Sequence, residues 1–186
     1  MTALRVCILT MFLTAFYILI TVFITNIFFN SNSNGSLIYF NHSLVGSKLI
    51  GQDFKDKKHF HSRPSQNNYR NNLSGNSNYP YYSSKLIASI ENHYQQFLSN
   101  NNNSIPDLNL ITESASGLDP DITYKGALSQ VERISINTGI NKEQIINLIN
   151  INSKPRIAGI IGGKIINVLQ LNLELNKIYA KTNRTR

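Results

Sequence analysis

Asp119-Pro120-Asp121-Ile122-Thr123 fits the pattern D-x-D-x-T. In aspartyl phosphotransferases that pattern supplies a nucleophilic carboxylate and, two residues on, an acid/base carboxylate. The chemistry needs the first Asp at the end of a buried apolar strand, a bound Mg²⁺ and further downstream carboxylates. Here Ser-Ala-Ser-Gly-Leu precedes Asp119, and the carboxylates that follow are sparse: Glu132, Glu143 and Glu174. The same stretch also allows a phosphate cradle, in which Ser114, Ser116 and Gly117 offer backbone N–H groups. No Gly-Lys-Ser/Thr follows to complete a nucleotide loop. The plain alternative is a turn with Gly117 left-handed and Asp121 or Thr123 capping the next helix. A second cluster, Asp53, Asp56, His59 and His61, lacks the cysteines and regular spacing of a zinc site and reads as surface loop.

Those residues need a scaffold, and the apolar residues show where it lies. Val6 to Phe29 carries no charge. About 24 residues at 1.5 Å each reach about 36 Å, enough to cross a bilayer core of about 30 Å with some tilt. A cleaved signal would have a shorter apolar run and small residues before the cut, whereas this run ends in Asn-Ile-Phe-Phe-Asn. An uncleaved anchor in the membrane lipid is expected. Arg5 precedes it, and no Lys or Arg follows until Lys48. Positive charge stays in the cytoplasm. The expected division is therefore 1–5 cytoplasmic, 6–29 transmembrane and 30–186 extracytoplasmic. Thr10, Thr14, Thr21 and Thr25 share a stripe of this helix and suit packing against partner helices.

The 186 residues carry 18 Lys and Arg against 10 Asp and Glu, a net charge of +8. The basic residues are scattered, and no recognition motif accompanies them, so no nucleic-acid partner is expected. The single cysteine, Cys7, excludes an internal disulfide.

Beyond the anchor, short apolar patches at "SLIYF", "SLVG" and "KLIG" predict strands. Residues 52–83 read as loop, the later part rich in Asn, Ser and Tyr. Leu86, Ile90, His93, Tyr94 and Phe97 have helical spacing. "DLNLIT" predicts a short strand. A helix should follow the Asp-Pro-Asp turn, with Ala127, Val131 and Ile134 facing the core, Gln130 free to face a partner, and Gly139 as its stop. Asn141 and Gln144 form a capping-box pattern for the next helix. "PRIAGIIGGKIIN" predicts a strand and turn. For the stretch from Val168 both alternation and helical spacing are present; Leu-rich composition and an Asn167 cap favour helix. The fold class is α+β: one N-terminal transmembrane helix followed by one mixed α/β extracytoplasmic domain.

These pieces, in this order, resemble the C subunit of the bacterial Kdp complex, a high-affinity ATP-driven potassium pump. The resemblance rests on the single anchor, "NGSLI", "GSKLIGQDF", "FHSRPS", "SASGLDPDIT", Gln130 with Arg133, "INKEQIINLI" and "NVLQLNLELNKI", and spans nearly the whole chain. Three positions depart from the family pattern: Ser62 stands for a Gly, "SGNSNYPYYSS" for a Gly-Gly-Ser-Asn-rich stretch, and Glu132 for a proline. The resemblance implies a non-catalytic accessory subunit. Its partners would be a potassium-channel-like subunit, a P-type ATPase subunit and a very small membrane peptide. It would stabilise the complex and act as a catalytic chaperone raising the ATP affinity of the ATPase subunit, in the inner membrane. Ser114, Ser116, Gly117, Asp119 and Gln130 are the family's nucleotide-associated positions, with ATP as the cofactor through the complex. The flanking charges conflict with direct contact, because they put Gln130 on the side away from cytoplasmic ATP. Two other readings remain from the residues: an anchored phosphotransferase using Asp119 and Asp121, and an unrelated anchored binding protein.

Overall fold

The computed structural model describes residues 2–157 and 161–184. It divides into two units, 1–47 and 48–186. In the first, α1 (Thr2–Phe28) is one continuous helix of 27 residues, long and apolar enough to cross a membrane. Its threonines are already bonded. Thr10, Thr14, Thr21 and Thr25 each donate to a carbonyl four residues back, at 2.7–3.0 Å. The stripe therefore presents methyl groups, with the hydroxyls turned to their own backbone. A short α2 (Asn30–Ser33) follows. Then β1 (Leu37–Phe40) and β2 (Ser43–Ser47) pair antiparallel, Phe40 opposite Ser43. Asn41 and His42 make the two-residue turn, both at positive φ (49° and 64°). That is the backbone twist a tight hairpin requires.

The second unit is the α+β domain, as the apolar spacing predicts. α3 (Ser84–Asn100) starts at Ser83, whose side chain accepts from Lys85 N–H. Its half-buried face is the one predicted from Leu86 to Phe97. After β3 (Asp121–Thr123) come α4 (Tyr124–Leu128), α5 (Val131–Thr138) and α6 (Lys142–Asn152). α5 stops at left-handed Gly139, and Asn141 caps α6 by accepting from Glu143 N–H. β4 (Lys154–Ile157) and β5 (Ile161–Asn167) precede the last helix, α7 (Val168–Arg184). The turn predicted between β4 and β5 lies outside the described residues. The sheet is antiparallel in the order β3-β5-β4.

Three local expectations are corrected. Lys48–Gly51 is a turn, not a strand. Gly51 N–H donates to Leu118 O at 2.8 Å, and a Cβ at Gly51 would lie 2.6 Å from Asp119 O. That approach is closed to other residues. "DLNLIT" contains a 3-10 turn, Leu108–Leu110. Its polar side chains do the pairing a strand backbone would have done: Asn109 Oδ1 accepts from Thr123 N–H and Asp107 accepts from the Thr123 hydroxyl. The helix predicted after Asp-Pro-Asp is a strand and two helices. Thr123, not Asp121, caps α4, and the chain kinks at Ser129-Gln130.

Phe60, Ile122, Ile134, Ile140, Ile145, Ile149, Ile166, Leu171 and Leu175 form the centre of the core, each at most 1% exposed. α7 is helical because Val168, Leu171 and Leu175 must all reach it, a 3–4 spacing that a strand cannot supply. Asn167 Oδ1 accepts from Gln170 N–H and closes its first turn. Replacing Leu171 by Ala should lower stability by about 2–5 kcal/mol, whereas Ile87→Ala, on a side chain 63% exposed, should change it by less than about 0.5 kcal/mol. Urea unfolding of the full chain in mild detergent distinguishes the two, and equal effects would refute this core.

Candidate functional site

The residues singled out by sequence converge on one extended segment, Lys57–Ser65, and hold it from two sides. It has no helix or strand of its own, so its backbone polar groups need partners from elsewhere. Side-chain amides supply them. Asn172 on α7 grips Phe60: Phe60 N–H donates to Asn172 Oδ1 (2.8 Å), and Asn172 Nδ2 donates to Phe60 O (2.9 Å). Gln130, at the kink before α5, grips the next residue. His61 N–H donates to Gln130 Oε1 (2.7 Å), and Gln130 Nε2 donates to His61 O and to Gly126 O (3.2 Å each). Each amide offers one donor and one acceptor side by side, as a neighbouring strand would. With both backbones satisfied, Phe60 is fully buried.

Arg133 completes the clasp one helical turn beyond Gln130. It is 1% exposed, and the hydrogen bonds given for its guanidinium all go to carbonyl and amide oxygens. Nε donates to Asn101 Oδ1 (2.8 Å), Nη1 to Lys57 O and His59 O, and Nη2 to Gln130 Oε1 (2.8 Å). Burial lowers its pKa to about 10, partly opposed by Asp56. It is still charged at neutral pH, stabilised by the partial charges of four oxygens. The reading of Gln130 as a partner-facing side chain is therefore overturned. The kink at Ser129 turns it inward, where it is wholly buried.

The Glu113–Thr123 loop holds the other end of the segment. Ser114 N–H donates to Pro64 O (3.0 Å) and Ser65 Oγ to Gly117 O (2.7 Å). Asp119 Oδ2 pairs with Arg63 Nη1 at 2.9 Å, both side chains largely buried, while its Oδ1 accepts from Asp121 N–H. Of the expected phosphate cradle, the N–H groups of Ser114 and Gly117 are bonded within the protein, and those of the next two residues are bonded as well. Gly117 donates to Ser114 O, Leu118 to Ser116 Oγ and Asp119 to Ser114 Oγ. Gly117 has φ 70°, and a Cβ there would stand 2.6 Å from Gly75 O. So Ser114, Gly117, Asp119 and Gln130 do come together as grips on one segment, while Ser116 bonds instead to Ser114, Leu118, Ser74 and Gly75. Asp119 sits before a three-residue strand, bonded to an arginine, and not at the exposed end of a buried one.

His59 and His61 do not converge. His59 Nε2 lies 2.9 Å from Asn176 Oδ1, and His61 Nε2 lies 3.1 Å from Asp56 O. Among the described residues no three His, Cys, Asp or Glu side chains group as a metal site. Burial, with Arg133 nearby, lowers His61 to a pKa of about 4; the Asp56 carbonyl and the Asp53 charge oppose that, and His59 adds to it. Sequence reasoning missed Asn101, Asn172 and Arg63. In a chain this rich in Asn, no local signal separates a buried clasp amide from a loop one.

Fold and site together define an α+β domain, preceded in the chain by a helix long and apolar enough to cross a membrane, in which the polar residues of the site brace a loop. A family model, KdpC, the c chain of the K⁺-transporting ATPase, matches residues 1–177. The chain is 41% identical over 167 residues to the potassium-transporting ATPase KdpC subunit of Bacillus cereus (strain Q1), covering 87% of this chain and 86% of that one. The KdpC subunit of Bacillus mycoides (strain KBAB4) is 41% identical over the same length and shares. The chain belongs to the KdpC family and is an accessory subunit of a potassium-transporting ATPase, not an enzyme by itself.

Two outcomes follow from the clasp. Gln130→Ala strands His61 N–H and O and part of Arg133, and should cost on the order of 2–4 kcal/mol in denaturant unfolding. An effect under about 1 kcal/mol would mean the clasp is dispensable. His61 is harder to protonate folded than unfolded, so between its ordinary 6.5 and about 4 the unfolded chain binds more protons. Stability should fall as pH drops through that window, by at most about 3 kcal/mol. His61→Gln should flatten the slope, and an unchanged slope would place the titration elsewhere.

Proposed function

We propose that this chain stabilises a high-affinity potassium uptake complex and acts as a catalytic chaperone for it, raising the ATP affinity of the P-type ATPase subunit. Its partners in this reading are that subunit, a potassium-channel-like subunit and a small membrane peptide. ATP enters through the complex. The observation that carries the reading is how the family's nucleotide-associated residues are used here. The Gln130 amide and the Asp119 carboxylate hold Lys57–Ser65, while the Ser114 hydroxyl and the N–H groups of Gly117 and Leu118 are bonded within their own loop. Residues spent on shape support action through an assembled surface and the membrane helix. The flanking charges support residues 1–5 in the cytoplasm, 6–29 in the inner membrane and 30–186 outside. In that topology ATP and this domain lie on opposite sides of the bilayer, which again favours an indirect effect.

The test is the complex purified with and without this chain. Omitting it should raise the apparent KM for ATP of potassium-stimulated hydrolysis several-fold and loosen assembly on size exclusion. Asp119→Asn, which weakens the hold on Arg63, should give a milder form of the same change, since Asn keeps an acceptor for Asp121 N–H. An unchanged KM and intact assembly without the chain would overturn the proposal. A reporter fused after Arg186 that is active only outside the cytoplasm checks the topology.

A further inference from the structure

The central strand of the sheet, β5, is longer than either neighbour, and the difference is greatest on the β3 side. β3 pairs with β5 only over Asp121↔Asn167, Ile122↔Ile166 and Thr123↔Ile165. β5 begins at Ile161. Among the described residues, no strand runs along Ile161–Lys164 on the β3 side. Ladder alternation shows which groups face that gap. Val168 N–H donates to Pro120 O at 2.9 Å, so residue 168 points toward the β3 side. In an antiparallel ladder every second residue does the same, hence Ile166, opposite Ile122, and then Lys164. The residue due opposite Lys164 is Tyr124, where the chain has already turned into α4. The N–H and C=O of Lys164 therefore face a gap in the sheet.

At the gap is a cavity of about 380 Å³ lined by Asp107, Thr123, Tyr124, Lys125, Gly163, Lys164 and Ile165. Two ammonium groups stand at it, both on exposed residues: Lys125, and Lys164, whose Nζ lies 5.6 Å over the Tyr124 ring. The one carboxylate, Asp107, already accepts from the Thr123 hydroxyl. The opposite edge of the sheet differs. Pro155 is paired with Lys164, so by the same alternation its nitrogen faces away from β5. The outer edge of β4 thus lacks a donor, as edges guarded against pairing do.

We propose that this notch is a strand-addition site. An extended, acidic segment of a partner polypeptide continues the line of β3, exchanging backbone hydrogen bonds with Lys164 while its carboxylates meet Lys125 and Lys164. Backbone bonding supplies the affinity and the lysines select the charge. Gly163 permits the approach, since nothing lies within 4 Å of where its Cβ would be. The site stands independently of the accessory-subunit reading.

The experiment uses the full chain in detergent micelles and a fluorescent capped hexapeptide, Glu-Val-Glu-Val-Glu-Val. Saturable binding is expected, with slowed amide exchange at Lys164. A Lys-Val hexapeptide should bind at least about tenfold more weakly, and so should the acidic peptide N-methylated at alternate amides, which keeps its charge and loses its donors. The second control separates strand addition from general attraction to a chain of net charge +8. Gly163→Leu fills the cavity from a position with open space and should abolish binding with an unchanged unfolding midpoint. Lys125→Glu with Lys164→Glu should transfer preference to the Lys-Val peptide. Equal binding of the N-methylated peptide, full binding by Gly163→Leu, or an unprotected Lys164 amide would overturn the proposal. So would self-association of the chain that competes out the peptide.

Discussion

The polar interior of the α+β domain is arranged around one buried cation. Arg133 lies in the core, and its charge is tolerated because Lys57 O, His59 O, Asn101 Oδ1 and Gln130 Oε1 converge on it. A buried unpaired charge is among the most expensive features a fold can carry. The oxygens that neutralise it belong to the Lys57–Ser65 segment, to the end of α3 and to the start of α5. Satisfying Arg133 therefore fixes three parts of the chain relative to one another. Asn172 adds a fourth, α7, through the backbone of Phe60.

This explains why a stretch without regular secondary structure is nevertheless part of the core. The backbone of residues 59–61 is bonded as a strand would be, but by amide side chains and a guanidinium. Such a network is demanding, since each member leaves others unsatisfied when it is removed. It also gives a physical role to residues that a motif search reads as catalytic or nucleotide-binding. Asp119 faces Arg63, and Ser114 and Gly117 face Pro64 and Ser65. The loop that carries D-x-D-x-T and the helix that carries Gln130 hold the two ends of one segment.

The same economy of polar groups appears at the sheet, with the opposite outcome. Where Arg133 and the amides leave nothing unpaired, the short β3 leaves the backbone of Lys164 facing a cavity. The domain thus has a densely bonded polar interior around Arg133 and an open polar edge at Lys164. The open edge is where an accessory subunit has bonding capacity to offer.

Local chemistry was enough for much of this molecule. An uncharged apolar run reads as a spanning helix because only a helix satisfies its own backbone in lipid. Asn141 and Asn167 read as caps, and Gly139 as a stop, because those rules act within one turn. α7 was legible once its 3–4 spacing was preferred to its alternation. The "DLNLIT" stretch was not, because its side chains bond to Thr123 more than ten residues away. The inward turn of Gln130 was hidden for the same reason: its partners, at His61, are 69 residues away in sequence. From sequence alone an Asn, Gln or Arg has equal claim to solvent, a ligand or the core. The sequence by itself determined the long apolar N-terminal helix, the helices at 84–100, 142–152 and 168–184, and the family. Only the tertiary structure decided which polar side chains are buried, because burial depends on acceptors that distant segments bring to the same place.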